Sequence, residues 1–185
     1  MLFRSVCLGA VWPVFGQNNH LLITEFVVAP TNGEFIEIFN PTSTGVDLSD
    51  YYLTDDNSNN NNDYVKVVNS AAALTLAAAD FLVKFPEGTS IAPGEAQTIA
   101  FSDTAFARVY GKSASYEINS SNAGVPDMTA IVVRTNASLT NAAEAIVLFY
   151  WDGQADLVRD VDYVVWGTGN VPVAVDKTGL SIDGP

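Results

Sequence analysis

Short runs rich in β-branched and aromatic residues recur along the chain, and nearly every one is closed by a cluster of Pro, Gly, Asn or Asp. Leu21–Val28 ends at Ala29-Pro30-Thr31-Asn32-Gly33, and Glu34–Phe39 stops at Asn40-Pro41. Asp80–Phe85 runs into Pro86-Glu87-Gly88, and Ile91-Ala92-Pro93-Gly94 precedes Gln97–Phe101. Runs of this length with turn residues between them are strands, because Pro and Gly end regular structure and β-branched side chains fit a pleated surface. The first two pair as a hairpin across their short connection.

The remaining segments fit the same plan. Val46–Leu53 reads as a third strand, Tyr64–Val68 and Ala130–Arg134 as further ones. Ala145–Trp151 and Leu157–Trp166 form a closing hairpin about Asp152-Gly153, the best tight-turn signal in the chain. Ser102–Gly111 reads as one short helix, with Ser102 as N-cap and Gly111 as the C-terminal stop. Ala71–Ala79 is Ala/Leu-rich without a clear cap, and helix, buried strand and insertion all remain open for it. Many short strands and almost no helix predict an all-β sandwich.

Arg4 followed by the apolar stretch Val6–Phe15 and by Gly16 has the layout of a secretory signal peptide over residues 1–17. The rival reading is an ordinary first strand or buried segment, since Trp12-Pro13 sits awkwardly in an apolar leader. The domain itself is expected over 18–170, with 171–185 a loose C-terminal segment where the chain stops short of a further strand, domain or sorting tail. The location expected is secreted or cell-surface. The single cysteine, Cys7, falls in the leader, so the mature domain has no disulfide, thiolate metal site or cysteine nucleophile. No apolar run is long enough for an integral membrane segment. With 21 acidic against 8 basic side chains, net charge −13, a nucleic-acid partner is not expected.

The order of segments resembles bacterial lamin-tail domains. Leu22-Ile23-Thr24-Glu25-Phe26, Gly33–Pro41 and Val46–Asp55 resemble the opening of that family, and Phe85–Gly94 with Phe106–Gly111 its middle. Ala145–Tyr150, Asp152-Gly153 and Val161–Gly167 are similar to its closing hairpin. Asp56–Ala79 and Ser115–Asn141 exceed the family core and are expected as two surface insertions. The resemblance implies an immunoglobulin-like β-sandwich with one short helix. It implies a non-catalytic, exported interaction or structural module, an accessory domain of a cell-surface or secreted protein. Its partner would be a protein or a surface polysaccharide.

Two other chemistries are carried by the residues. Asp55, Asn57 and Asn59 alternate like the start of a calcium loop, and with Asp63 they could ligate Ca2+. Asn60 stands where such a loop has Gly and Lys66 where it has Glu, so a solvated Asn-rich tip is the plainer reading. A calcium-dependent carbohydrate- or surface-binding domain is the function this loop would support. Paired carboxylates on the first hairpin could serve a hydrolase: Glu25 and Glu37 sit in its two strands, and either Glu37 or Glu34 lies on the buried face. Acids on a sandwich face are more often structural. His20, the only histidine, lies beside the leader, where no catalytic triad could be held. Tyr51, Tyr52, Tyr110, Tyr116, Trp151 and Trp166 are candidates for a sugar-stacking surface, Trp151 first among them.

Overall fold

The computed structural model describes residues 19–55, 64–70, 74 and 76–167. In chain order the strands are β1 (Leu22–Val27), β2 (Phe35–Phe39), β3 (Val46–Asp47), β4 (Tyr51–Thr54), β5 (Phe81–Lys84) and β6 (Ser90–Ile91). Then come β7 (Ala96–Ala100), helix α1 (Asp103–Tyr110), β8 (Tyr116–Glu117), β9 (Thr129–Val133), β10 (Ala143–Tyr150) and β11 (Arg159–Gly167). One sheet runs β1-β2-β7-β8 and a second runs β11-β10-β4-β5-β9, with β3 and β6 paired apart. No helix among the described residues is long and apolar enough to cross a membrane.

Alternation builds the core. Ile36, Ile38 and Ile99 from one sheet meet Leu53, Phe81, Val83, Ile146 and Leu148 from the other, all buried. The odd–even choice left open for β2 is thus decided: Ile36 and Ile38 face inward, and Glu34, on their side, is buried, while Glu37 only accepts a bond from Thr24 Oγ1 at 2.8 Å. Helix α1 covers the opposite face of β2. Its Phe106 packs edge-on against Phe35 with centroids 5.4 Å apart. Both expected caps are present: Ser102 accepts from the Ala105 amide, and Gly111 takes φ 70°.

The two long segments are not surface insertions. Tyr64–Val68 is a 3-10 helix instead of a strand, because both edges of β4 are already taken, by β10 and by β5. It lies with Leu74 and Leu76 on the outer face of the five-stranded sheet, against Tyr52, Leu82, Val147 and Phe149. The strands β4, β5 and β10 of that sheet are therefore covered on both faces. Ser115–Asn141 supplies β8 and β9 and sends Ile118, Met128, Ala137 and Leu139 into the main core. Apolar content, more than length, decides whether a segment stays on the surface.

Two strand boundaries also differ from expectation. Val46–Leu53 breaks into β3 and β4, because the Asp47 carboxylate takes the Ser49 amide at 2.9 Å and Tyr51 N bonds Leu48 O at 2.8 Å. Asp152-Gly153 does not form a two-residue hairpin. Tyr150 pairs with Arg159, so residues 151–158 form the connection. Within it Asp152 Oδ1 accepts the Gln154 and Ala155 amides, and buried Val158 anchors the return.

Candidate functional site

At one end of the five-stranded sheet three acids converge. Asp55 follows β4, Asp80 precedes β5, and Glu144 is the second residue of β10. Strands β10, β4 and β5 are neighbours in that sheet, so their ends come together although the residues are far apart in sequence. One carboxylate oxygen from each acid lies within 4.8 Å of the others.

A backbone amide anchors each acid, and the Thr140 side chain also bonds Glu144. Phe81 N donates to Asp55 Oδ1 at 2.7 Å, Ala77 N to Asp80 Oδ2 at 3.0 Å, and Thr140 N to Glu144 Oε2 at 2.6 Å. Asp55 is 1% exposed and Glu144 7%, while Asp80 is half-buried and gives the cluster its contact with solvent. Asp55 Oδ2 is buried with no hydrogen-bond partner among the described residues. Leaving such an oxygen bare in a low-dielectric setting is costly.

The protonation equilibria follow from this packing. Burial raises the Asp55 carboxyl well above its ordinary range, against the opposing Phe81 amide and helped by the nearby charges of Glu144 and Asp80. Burial is also the main cause that lifts Glu144 to about 7, with the Thr140 amide opposing and Asp80 adding to it. Asp80 is raised by burial, offset by the Ala77 amide and by Arg134. Glu34, buried before β2, is raised the same way and held by the Leu139 amide at 3.2 Å.

Glu117 shows what a satisfied buried carboxylate looks like in the same molecule. It is 0% exposed, yet it accepts from Asp103 N at 2.9 Å, Asn122 N at 2.6 Å and Ser121 Oγ at 2.5 Å. Burial pushes its carboxyl up, but these donors outweigh burial and hold it below the ordinary value. The Asp55 cluster has no such set of donors. Three carboxylates at this spacing can share protons or hold a hard cation through oxygen.

Of the calcium-loop candidates, Asp55 is brought into this cluster, and it is a buried strand-end residue instead of part of a solvated tip. Asn57, Asn59 and Asp63 lie outside the described residues. Glu25 and Glu37 do pair across β1 and β2, on the solvent side. His20 is exposed and bonds its neighbour Asn19 at 3.3 Å. The expected aromatic surface is largely turned inward. Tyr52 stacks on Phe149 at 4.9 Å, Tyr110 packs against Phe106 at 4.6 Å, and Trp166 lies against Phe26 at 4.8 Å. Trp151 rests against Tyr52 and donates to Ala155 O at 2.8 Å. Among the described residues the most exposed large apolar side chains are Tyr163 at 56% and Val165 at 38%, on one face of β11, and Val109 at 45% and Tyr110 at 38%, at the end of α1. Sequence reasoning passed over Tyr163 and Val165, as it passed over Asp80 and Glu144. The one signal available was position: each of those two acids directly precedes an apolar run.

The lamin tail domain profile matches residues 16–168. The chain belongs to the lamin tail domain family. No curated protein matches it. A solved structure similar to this lamin tail domain is that of a DUF4876 family protein from Bacteroides thetaiotaomicron VPI-5482, at 15% identity and TM-score 0.49. The similarity covers 74% of this chain and 44% of that one, so the lamin tail domain spans under half of that protein's length.

Proposed function

We propose that this lamin tail domain is a non-catalytic, exported interaction module whose partner is a protein. The observation that supports it is the uncovered margin of the second hydrophobic layer. Val147 on β10, paired with Tyr163, is buried under the Tyr64–Leu76 segment. Tyr163 and Val165 continue that face on the edge strand and are left in water. Tyr presents an apolar body and a polar tip at little entropic cost, which suits a docking surface. The net charge of −13 favours a partner face that is basic around an apolar centre.

Export is the second half of the reading, and the leader-like stretch at 1–17 supports it. The placement of the hairpin acids favours the non-catalytic reading over the paired-carboxylate hydrolase, since Glu34 is buried where a glycosidic bond does not reach, while Glu25 and Glu37 pair on the solvent side.

The test uses the full chain in a secreting bacterial host, then as bait. Recovery outside the cytoplasm with a new N-terminus near Gln17 is expected; recovery inside with Met1 intact overturns export. Wild type should retain envelope proteins that the Tyr163→Asp/Val165→Asp variant does not. Retention on immobilised cell-wall polysaccharide, unchanged in that variant, would overturn the protein-docking reading.

A further inference from the structure

We propose that Asp55, Asp80 and Glu144 form a binding site for one hard divalent cation of calcium's class, which ties together the ends of β4, β5 and β10. The geometry fits the ion. Calcium bonds oxygen at about 2.3–2.6 Å, so it reaches oxygens up to about 5 Å apart. The three oxygens lie within 4.8 Å of one another. All three ligands are carboxylates, without nitrogen or sulfur, which selects hard cations over zinc or copper.

The independent observation is Asp55 Oδ2. Among the described residues it is buried without a hydrogen-bond partner, while its sister oxygen is held by the Phe81 amide. A cation between the three acids supplies the missing partner and offsets their mutual repulsion. The groups around them do so only in part. Arg134 acts on Asp80 but spends its Nε on Leu76 O at 2.9 Å, and Glu34 adds a further negative charge toward Glu144. The remaining donors are the amides of Phe81, Ala77 and Thr140 and the Thr140 side chain, which serves Glu144 and not Asp55.

The role follows from placement. Asp55 and Asp80 bracket the long segment that leaves β4 and returns to β5, carrying the Tyr64–Val68 cover between them. A shared ion closes that segment at its base and links it to β10. The cation is structural.

The test is a thermal melt of the full chain at pH 7.5, in excess EDTA and then in millimolar calcium. At calcium about 100-fold above Kd the midpoint should rise by roughly 5–10 °C, because only the folded state binds. Asp55→Asn and Glu144→Gln should lose the shift while melting in EDTA at or above wild type, since each removes a repelling buried charge. Asp80→Asn, at a half-exposed position, should also lose it and guards against a fold-breaking variant. Asp47→Asn, on the surface, should keep it. No shift in wild type overturns the site. A shift kept by Glu144→Gln and Asp80→Asn also overturns it, by assigning the ion to the Asp55–Asp63 run alone.

Discussion

The Phe81 amide donates to Asp55 Oδ1 at 2.7 Å, while Thr54 Oγ1 donates to the Phe81 carbonyl at 2.6 Å. This reciprocal clamp joins the end of β4 to the start of β5. It also fixes the Asp55 side chain, so that the second oxygen stays buried instead of swinging out to water. The strain of the acidic cluster is therefore held in place by the sheet, and its consequences can be measured.

The first consequence is a pH dependence. Glu144 stands at about 7 in the folded protein against 4.5 when free, so between those values the native state binds more protons than the unfolded one. Stability from this group is present below pH 4.5 and is lost as pH rises through about 7. Asp55 and Asp80, both raised, act in the same direction. Asp47, Glu95, Glu117 and Asp152 are lowered, and their contribution is lost only in more acidic solution. In EDTA the midpoint should fall from pH 5 to pH 8. Glu144→Gln should flatten that slope; an unchanged slope would contradict the assignment.

Glu117 makes the opposite prediction. Its carboxylate serves two backbone amides and a hydroxyl, and charged acceptors are worth more than neutral ones. Glu117→Gln should cost about 1.5–3 kcal/mol at pH 7 in a denaturant titration. A neutral result would mean that the donors are satisfied equally well by an amide.

Tyr64 tests whether the long segment after β4 is part of the core. The side chain is buried, lies 4.9 Å from Phe149 and donates to Asp160 Oδ1 at 2.7 Å. Tyr64→Ala should destabilise by about 3–5 kcal/mol, as aromatic truncations in cores do. A loss under about 0.5 kcal/mol is what a surface insertion would give.

The helix caps were legible from local rules, and so were most strands. Ser102 and Gly111 bound α1 as their chemistry requires, because capping involves only neighbours in sequence. Period-two alternation restricted β2 to two faces, and only the opposing sheet could choose between Glu34 and Glu37. What stayed illegible was non-local. Tyr64-Val65-Lys66-Val67-Val68 has strand composition, yet with both edges of β4 taken by β10 and β5 it covers a sheet face as a 3-10 helix. Asp55 drew notice through its polar neighbours in sequence, whereas its partners in space, Asp80 and Glu144, come from other strand ends. Tyr163 reads like any strand aromatic, and its exposure depends on where the cover stops.

Ser102→Ala should cost about 1 kcal/mol, the usual worth of an N-cap hydroxyl. Its hydroxyl also bonds Ser121 Oγ at 2.9 Å, so the helix start is linked to the Glu117 turn. Guanidinium melts of Ser102→Ala and Ser121→Ala, alone and together, should show coupling instead of additivity.

The most direct measurement is calorimetric titration of the full chain with calcium at pH 6.5, repeated in two buffers of different ionisation heat. One site per chain is expected, with protons released to the buffer as Glu144 gives up its own, and no binding by Asp55→Asn. No saturable heat in wild type, or binding without proton release that survives in Asp55→Asn, would contradict a cation held by Asp55, Asp80 and Glu144.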